Sequence, residues 1–177
     1  MKQMTKKVAF LLADGFEDSE MKNPYEAITK NGNDAVIISL NANEELHGKK
    51  GTITYTSHLS AKEAYATDYE AVIIPGGTSP EKLKHDPYMI KFVQEADKAG
   101  ITIAAICHGP QLLAEADLLK GKTLTSYPGI AQEVIAAGGS YLDQPVKVDG
   151  NLITSRTPED ESVFIEEIIN KLGVTAY

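Results

Sequence analysis

The chain of 177 residues is poor in the residues that cross-link proteins or bind metals, with one cysteine and four histidines. A single cysteine excludes an internal disulfide, so Cys107 is either a small buried apolar group or a reactive thiol. The histidines show no metal-ligand spacing with one another or with Cys107. They are His47, His58, His85 and His108. We therefore expect no metal site and no cofactor.

Positive charge and long apolar runs are also scarce. Lys plus Arg number 17 against 25 Asp plus Glu, a net charge of −8, and no basic run could follow a phosphate backbone. No apolar run approaches the roughly 20 residues of a membrane-spanning helix. Residues 1–7 lead directly into a strand-like segment without a signal-peptide cleavage site. We expect a cytoplasmic protein that binds neither nucleic acid nor membrane.

The composition is that of one folded domain. Hydrophobic residues make up 42% of the chain and charged residues 24%, close to the average of globular proteins. The length suits one domain with a sizeable core and is short for two. Because no internal repeat, linker or low-complexity segment interrupts the sequence, we expect a single domain over residues 1–177.

Four short apolar runs predict strands that are buried on both faces of a parallel sheet. They are residues 8–13, 35–39, 71–74 and 101–106. Each adjoins a helical pattern, and this alternation is typical of βαβ units.

Capping signals and one alternating segment define further elements. An Asp-Pro start and an apolar stripe predict a helix over residues 86–100, and a Thr-Pro start predicts the last helix from residue 157 onward. Apolar and polar residues alternate over 145–154 around an Asp-Gly turn, which indicates an antiparallel hairpin added to the sheet. The predicted fold class is α/β, a three-layer sandwich with helices on both faces of a mostly parallel sheet.

Cys107 lies at a predicted strand-to-helix turn, between the strand at 101–106 and a helical pattern at 109–114. Such a turn lifts a side chain to the carboxyl edge of the sheet, and the start of a helix stabilises a thiolate. We therefore predict that Cys107 is a nucleophile and is ionised at neutral pH. His108 is either its ion-pair partner and proton carrier or a structural residue that caps the turn.

Two other segments should reach the same edge of the sheet. Glu17 follows the first strand, and a buried, protonated carboxyl group there could donate a hydrogen bond to the thiolate. The acidic run at residues 17–20 is, from its spacing alone, more typical of a solvated loop. The Pro-Gly-Gly turn at 75–77 follows the third strand, where Gly77 could direct an N–H at a developing oxyanion beside the N–H of His108.

Five segments carry the motifs of a known family. They are residues 16–18, 75–77, 105–111, 126–129 and 155–158. Together they resemble the ThiJ/PfpI superfamily, and the intracellular-protease PfpI branch most closely, in order over nearly the whole chain. The resemblance implies a flavodoxin-like sandwich in which Cys107 is the nucleophile, His108 its neighbour, and Glu17 hydrogen bonds the thiolate.

The resemblance also implies an oligomer. In the PfpI branch a glutamate soon after the Pro-Gly-Gly turn comes from the neighbouring subunit and completes a triad, and Glu81 occupies the matching place. The expected assembly is a homodimer or a higher oligomer; otherwise Glu81 is an ordinary acid in the first turn of a helix. Gly76, Tyr127 and Arg156 are weaker candidates for the substrate pocket, and Thr78 stands where close relatives often carry arginine.

Relatives in this superfamily act as peptidases, as glyoxalases or deglycases on methylglyoxal adducts, and as stress chaperones. A thiolate attacks an aldehyde to give a hemithioacetal, or an acyl carbon to give a thioester. We predict a stress-protection enzyme that uses Cys107 on a small carbonyl, a glycated protein or a peptide, with small carbonyls preferred because no specificity pocket is evident.

Two other classes of protein share part of this pattern. A non-catalytic redox sensor or holdase chaperone would need only the oxidation of Cys107 to sulfinic acid, and it remains the alternative. A class I glutamine amidotransferase is excluded because it needs a late catalytic histidine and no histidine follows His108.

Overall fold

The computed structural model describes residues 6–173. Residues 1–5, part of the segment that we expected to run directly into the first strand, lie outside the described residues. The strands are β1 (Lys7–Leu11), β2 (Asp34–Ser39), β3 (Glu45–His47), β4 (Thr54–Thr56), β5 (Leu59–Ser60), β6 (Ala71–Ile74), β7 (Thr102–Ile106), β8 (Thr123–Leu124), β9 (Ser140–Tyr141), β10 (Val146–Asp149) and β11 (Leu152–Ser155). The helices are α1 (Asp18–Lys30), α2 (Ser79–Leu83), α3 (Pro87–Lys98), α4 (Pro110–Glu115), α5 (Ala131–Ala136) and α6 (Glu161–Leu172).

The central sheet has the strand order β10-β11-β7-β6-β1-β2-β5. Its neighbouring strands are parallel except for β10 and β11, which form the antiparallel hairpin. The strand order reverses between β1 and β6, and ligands of open α/β sheets bind beyond the carboxyl ends of the strands at such a switch point. The predicted α/β sandwich with an added hairpin is confirmed.

Two hydrophobic cores lie on opposite faces of the sheet. In β1, Val8 and Phe10 join the core that contains Met21 of α1 and Phe164 of α6. The alternate residues of β1 join the core that contains residues of α3 and α4. Because successive side chains of a strand point to opposite faces, a strand covered on both sides must be apolar throughout. The continuous apolar runs of the sequence therefore mark the central strands correctly.

The predicted helices form, with one change at a boundary. The carboxylate of Asp86 accepts a hydrogen bond from Tyr88 N–H at 3.0 Å and caps α3. The last α-helix begins at Glu161 because residues 158–160 form a separate 3₁₀ turn.

Some short elements were not predicted. The hairpin of β3 and β4 has strands of three residues each, too short for a clear hydrophobic period. Among residues 6–173, no helix is long and apolar enough to cross a membrane.

Candidate active site

Cys107 lies between β7 and α4 at the carboxyl edge of the sheet. Its φ of 62° places it in the left-handed region, which is strained for a residue with a side chain. Its N–H donates to Ser155 O at 3.0 Å, and its carbonyl oxygen accepts from Tyr127 N–H at 2.9 Å. These bonds from two neighbouring segments hold the strained turn in place. The strand-to-helix turn expected from the sequence is thus present.

His108 is brought into contact with the thiol by this strained turn. Its Nδ1 lies 3.2 Å from Cys107 Sγ, although consecutive residues on a regular helix point about 100° apart. The imidazole stacks on Tyr127, with ring centroids 4.7 Å apart and planes 22° apart. Burial, and next the charge of Lys49, lower the pKa of His108. A neutral His108 can accept the proton of the thiol.

Glu20 faces Cys107 across the backbone of Gly76. Its side chain is buried, and Oε1 accepts a hydrogen bond from Gly76 N–H at 2.8 Å. A Cβ at Gly76 would lie 2.6 Å from Glu20 Oε1 and 2.7 Å from Cys107 Cβ. Only glycine therefore lets the end of β6 pass between the carboxyl group and the cysteine.

The burial of Glu20 controls its charge. Desolvation raises the pKa of Glu20 to about 8, against the hydrogen bond from Gly76 and with the help of the charges on Glu17 and Glu161. Glu20 is therefore mostly protonated at neutral pH. A carboxyl group in this state adds no negative charge beside the thiol and can donate a hydrogen bond.

Burial and a nearby carboxyl group both oppose the ionisation of Cys107. Burial, and then the negative charge of Glu20, raise the pKa of Cys107 to about 12, while the backbone N–H groups of His108 and Gly77 and the ammonium of Lys49 act in the opposite direction. Burial is the larger cause and acts whether or not Glu20 is ionised, so the prediction that Cys107 is ionised at neutral pH is wrong. Protonation of Glu20 removes only the smaller of the two unfavourable influences.

Glu17 does not contact the thiol as the resemblance implied. Its carboxylate pairs with Lys49 Nζ and Lys50 Nζ, each at 2.8 Å. Burial opposes ionisation most, but the two lysines together lower the pKa of Glu17. An ionised carboxylate cannot donate a hydrogen bond to a thiolate. Glu17 precedes α1 and faces the lysines, whereas Glu20, one turn later, faces the thiol. The carboxyl group beside Cys107 is therefore that of Glu20, three residues after the one that the resemblance implied.

The backbone donors expected at the oxyanion site meet at Cys107. Gly77 has a φ of 80°, and a Cβ there would lie 2.3 Å from Gly15 O, so this turn requires glycine. Its N–H and that of His108 both favour the ionised form of the sulfur. Donors placed in this way can also stabilise negative charge on an oxygen bound to the carbon under attack.

Glu133 is a charged neighbour of His108 that the sequence analysis missed. Its carboxylate accepts from Gln111 Nε2 at 3.2 and 3.3 Å, and its charge acts to raise the pKa of His108. Gln111 N–H in turn donates to His108 O at 3.0 Å. No motif marks Glu133, because it belongs to α5, which only the fold brings beside α4.

Two other predicted residues have partners elsewhere in the chain. Glu81 pairs with Lys84 at 2.8 Å, and its side chain is 52% exposed. Arg156 follows β11, but its guanidinium pairs with Asp143 and Asp160, each at 3.0 Å. The described contacts bring neither charged group to Cys107. A role for Glu81 in a neighbouring subunit stays a prediction.

The fold and the site together define a doubly wound α/β protein with a strained cysteine at the switch-point edge of its sheet. Within the described part of the chain, no group of three or more His, Cys, Asp and Glu side chains is arranged to hold a metal ion. The model of the DJ-1/PfpI family matches residues 6–171. The chain belongs to this family, which confirms the resemblance found in the sequence.

Three relatives illustrate the match. Protein/nucleic acid deglycase 2 of Escherichia coli (strain K12) is 39% identical over 171 residues, which cover 96% of this chain and 99% of that protein. A two-domain protein of Anabaena variabilis, with DJ-1/ThiJ/PfpI-like and ferritin-like domains, superposes with a TM-score of 0.95 and 41% identity over 97% of this chain and 49% of that one. This chain thus spans about half of that protein. DJ-1 of Schizosaccharomyces pombe has a TM-score of 0.84 and 26% identity, covering 94% and 92% of the two chains.

Proposed function

We propose that this protein is a deglycase that uses Cys107 to remove methylglyoxal-type adducts from amines, and that it also acts on the free α-oxoaldehyde. One observation carries the proposal: a strained, buried thiol lies 3.2 Å from the Nδ1 of a neutral His108 and faces Glu20, whose pKa is raised to about 8. The site thus offers a nucleophile and two groups able to exchange protons at neutral pH. The deglycase among the relatives supports the choice of substrate.

The chemistry on free methylglyoxal begins with attack by sulfur on the aldehyde carbon. The S–C bond forms, and the thiol proton passes through His108 to the aldehyde oxygen, giving a hemithioacetal. A base at the site then moves the hydrogen of that carbon, as a proton, to the neighbouring carbonyl carbon, while the hydroxyl proton passes to the oxygen of that carbonyl, which leaves a lactoyl thioester. Water hydrolyses the thioester to lactate and restores the thiol. On an adduct, the S–C bond forms as the C–N bond breaks, and the thiol proton passes through His108 to the departing amine, which leaves the same hemithioacetal.

The surroundings of the thiol favour a small substrate over a polypeptide. Cys107 is only 7% exposed, and the ring of Tyr127 covers one face of His108. A methylglyoxal adduct at the tip of a long side chain, or on a small amine, can reach such a thiol. An extended peptide would need a groove along the cysteine. These features support deglycase action ahead of the peptidase alternative.

The proposal is tested with N-acetyl-lysine that carries a methylglyoxal adduct. Wild type should release lactate and free amine in equal amounts, and Cys107→Ala should release neither above the spontaneous rate. His108→Gln should be slowed by roughly 100-fold or more, because it lacks the proton acceptor. Equal rates for wild type and Cys107→Ala would refute the proposal. Accumulation of a sulfinic acid at Cys107 without turnover would favour the redox sensor instead.

We further infer that the active unit is a homodimer or a higher oligomer. Glu81 is an exposed carboxylate whose pKa is lowered, mainly by Lys84, so it is ionised at neutral pH. In a neighbouring subunit such a group could orient His108. This step depends on the PfpI resemblance, and Glu133 offers a competing acid within the same chain.

A further inference from the structure

The turn between β3 and β4 carries two adjacent lysines towards the cysteine. Its sequence is Gly48-Lys49-Lys50-Gly51, and the buried carboxylate of Asp18 holds it from below. Asp18 accepts hydrogen bonds from Lys50 N–H at 3.0 Å and Thr52 N–H at 2.9 Å. Lys49 N–H donates to Phe16 O at 2.9 Å. The backbone beneath both lysine side chains is therefore fixed.

The carboxylate of Glu17 pairs with both lysines. Both ammonium groups lie 2.8 Å from it. The charge of Asp18 also acts on Lys50, whereas Glu17 is the direct ion-pair partner of Lys49. The side chains remain 46% exposed at Lys49 and 62% exposed at Lys50. The exposed ammonium of Lys49 can therefore accept a second anionic partner.

The two lysines differ in what they face. The ammonium of Lys49 acts on the ionisation of Cys107, His108 and Glu20, favouring the anionic forms of the thiol and the carboxyl and disfavouring the imidazolium. Lys50 is not among the influences on these three groups, and its own pKa responds mainly to Glu17. The backbone supports the same placement: Lys49 N–H donates to Phe16 O, and Phe16 forms a β-bridge to Gly77, whose N–H faces the sulfur. Lys49 is thus the lysine of the pair that lies towards the reacting sulfur.

We propose that Lys49 is a specificity residue that binds a carboxylate or phosphate group of the substrate beside the carbonyl that Cys107 attacks. Glu17 holds the ammonium in position and then shares it with the incoming anion. The favoured substrates are therefore anionic adducts, such as glycated amino acids or nucleotides. This inference deepens the proposed function, but the anion preference can be tested on the thiol alone.

The test compares two alkylating reagents that differ mainly in charge. Iodoacetate and iodoacetamide both alkylate Cys107 through their CH2 carbon and release iodide. The ratio of the iodoacetate rate to the iodoacetamide rate, compared with the same ratio for N-acetylcysteine, therefore reports the local preference for an anion. In wild type this ratio should exceed the reference about fivefold, the effect of one unit charge a few ångströms away in water. Lys49→Gln should return it to the reference, and Lys49→Arg should keep it high.

Lys50→Gln is the matched control, because it removes the same charge from the same turn and should leave the ratio within about twofold of wild type. If Lys49→Gln slows both reagents equally, Lys49 acts only on the thiol pKa and the proposal is overturned. An equal fall of the ratio in both variants would also overturn it, since the effect would then belong to the general surface charge.

A protection experiment distinguishes the two kinds of anion. Inorganic phosphate and acetate are compared with sodium chloride, at equal ionic strength, for slowing of iodoacetamide at Cys107. Protection by phosphate supports nucleotide adducts, protection by acetate supports amino-acid adducts, and loss of protection in Lys49→Gln is required for either. Absence of protection by both anions in wild type overturns the proposal. None of these readouts needs turnover, so a failed lactate assay would not decide them.

Discussion

At the scale of single residues, the charge beside Cys107 depends on whether Glu20 carries a proton. Glu20 is buried beside Cys107 with its pKa raised to about 8, and an ionised Glu20 raises the pKa of the thiol. A negative charge on either group therefore disfavours a negative charge on the other. Below about pH 8 the carboxyl group is neutral and adds no charge that opposes the thiolate, and above it the carboxylate opposes the thiolate.

The first prediction concerns stability. The folded protein keeps a proton on Glu20 that the unfolded chain loses above the ordinary value of 4.5, so the stability contributed by this group falls as the pH rises from 4.5 towards about 8. Glu20→Gln cannot titrate. Urea unfolding across this window should show wild type losing stability relative to the variant by up to about 1.4 kcal/mol per pH unit. Parallel curves for the two proteins would show that Glu20 is not protonated in the fold.

The second prediction separates Glu20 from Glu17. At alkaline pH, Glu20→Gln removes the charge that opposes the thiolate, so alkylation of Cys107 by iodoacetamide should be several-fold faster than in wild type. Glu17→Gln should have a smaller effect, because Glu17 acts through Lys49 and Lys50. Rates measured against pH for the three proteins provide the comparison. A larger change in Glu17→Gln would restore the role that the resemblance gave to Glu17.

At the scale of secondary-structure elements, three chain segments converge on the thiol: the start of α1, the end of β6 and the turn after β7. The segments approach closely at Gly76, with Glu20 on one side and Cys107 on the other. Added atoms at this point must move one of the two.

The third prediction follows from that approach. Gly76→Ala should reduce the reactivity of Cys107 and the deglycase rate by at least tenfold, since its Cβ would displace Glu20 or the cysteine. Gly100→Ala is the control: a Cβ there meets nothing within 4 Å, although the φ of 73° costs about 1–2 kcal/mol of stability. Its thiol should react normally. Unchanged alkylation in Gly76→Ala would show that the spacing between carboxyl and thiol is not critical.

The elements also show what the sequence could and could not reveal. The buried strands and α3 were predictable because continuous apolar runs and an Asp-Pro cap are local signals. Glu20 was not, since three nearby acids look alike until α1 turns only one towards the thiol. The lysine turn was missed for a similar reason: its flanking strands are short and polar, and contacts of the distant Phe16 with the turn and with Gly77 bring it to this side of the molecule.

At the scale of the whole molecule, the site is completed either within one chain or across two subunits. Glu133 lies in the same chain and acts on His108, whereas Glu81 is exposed and would have to come from a neighbouring subunit. The two arrangements differ in whether activity requires an oligomer. A site completed in trans fails when subunits separate, and a site completed by Glu133 does not.

The fourth prediction is that activity requires the oligomer. Glu81→Ala and Cys107→Ala should each be inactive alone, and mixing them after verified subunit exchange should restore part of the activity, in sites that pair an intact Cys107 with an intact Glu81. Light scattering alongside the assay reports the assembly. A fully active monomer would contradict this prediction and assign the supporting acid to Glu133.

Nucleophilic attack by Cys107 is tested most directly by a mass spectrum of the protein quenched with acid during turnover of methylglyoxal. A transient lactoyl thioester should form on the peptide that contains Cys107, decay as lactate appears and be missing from Cys107→Ala. Lactate production at the wild-type rate by Cys107→Ala, with no adduct on the cysteine of the wild type, would show that Cys107 is not the nucleophile.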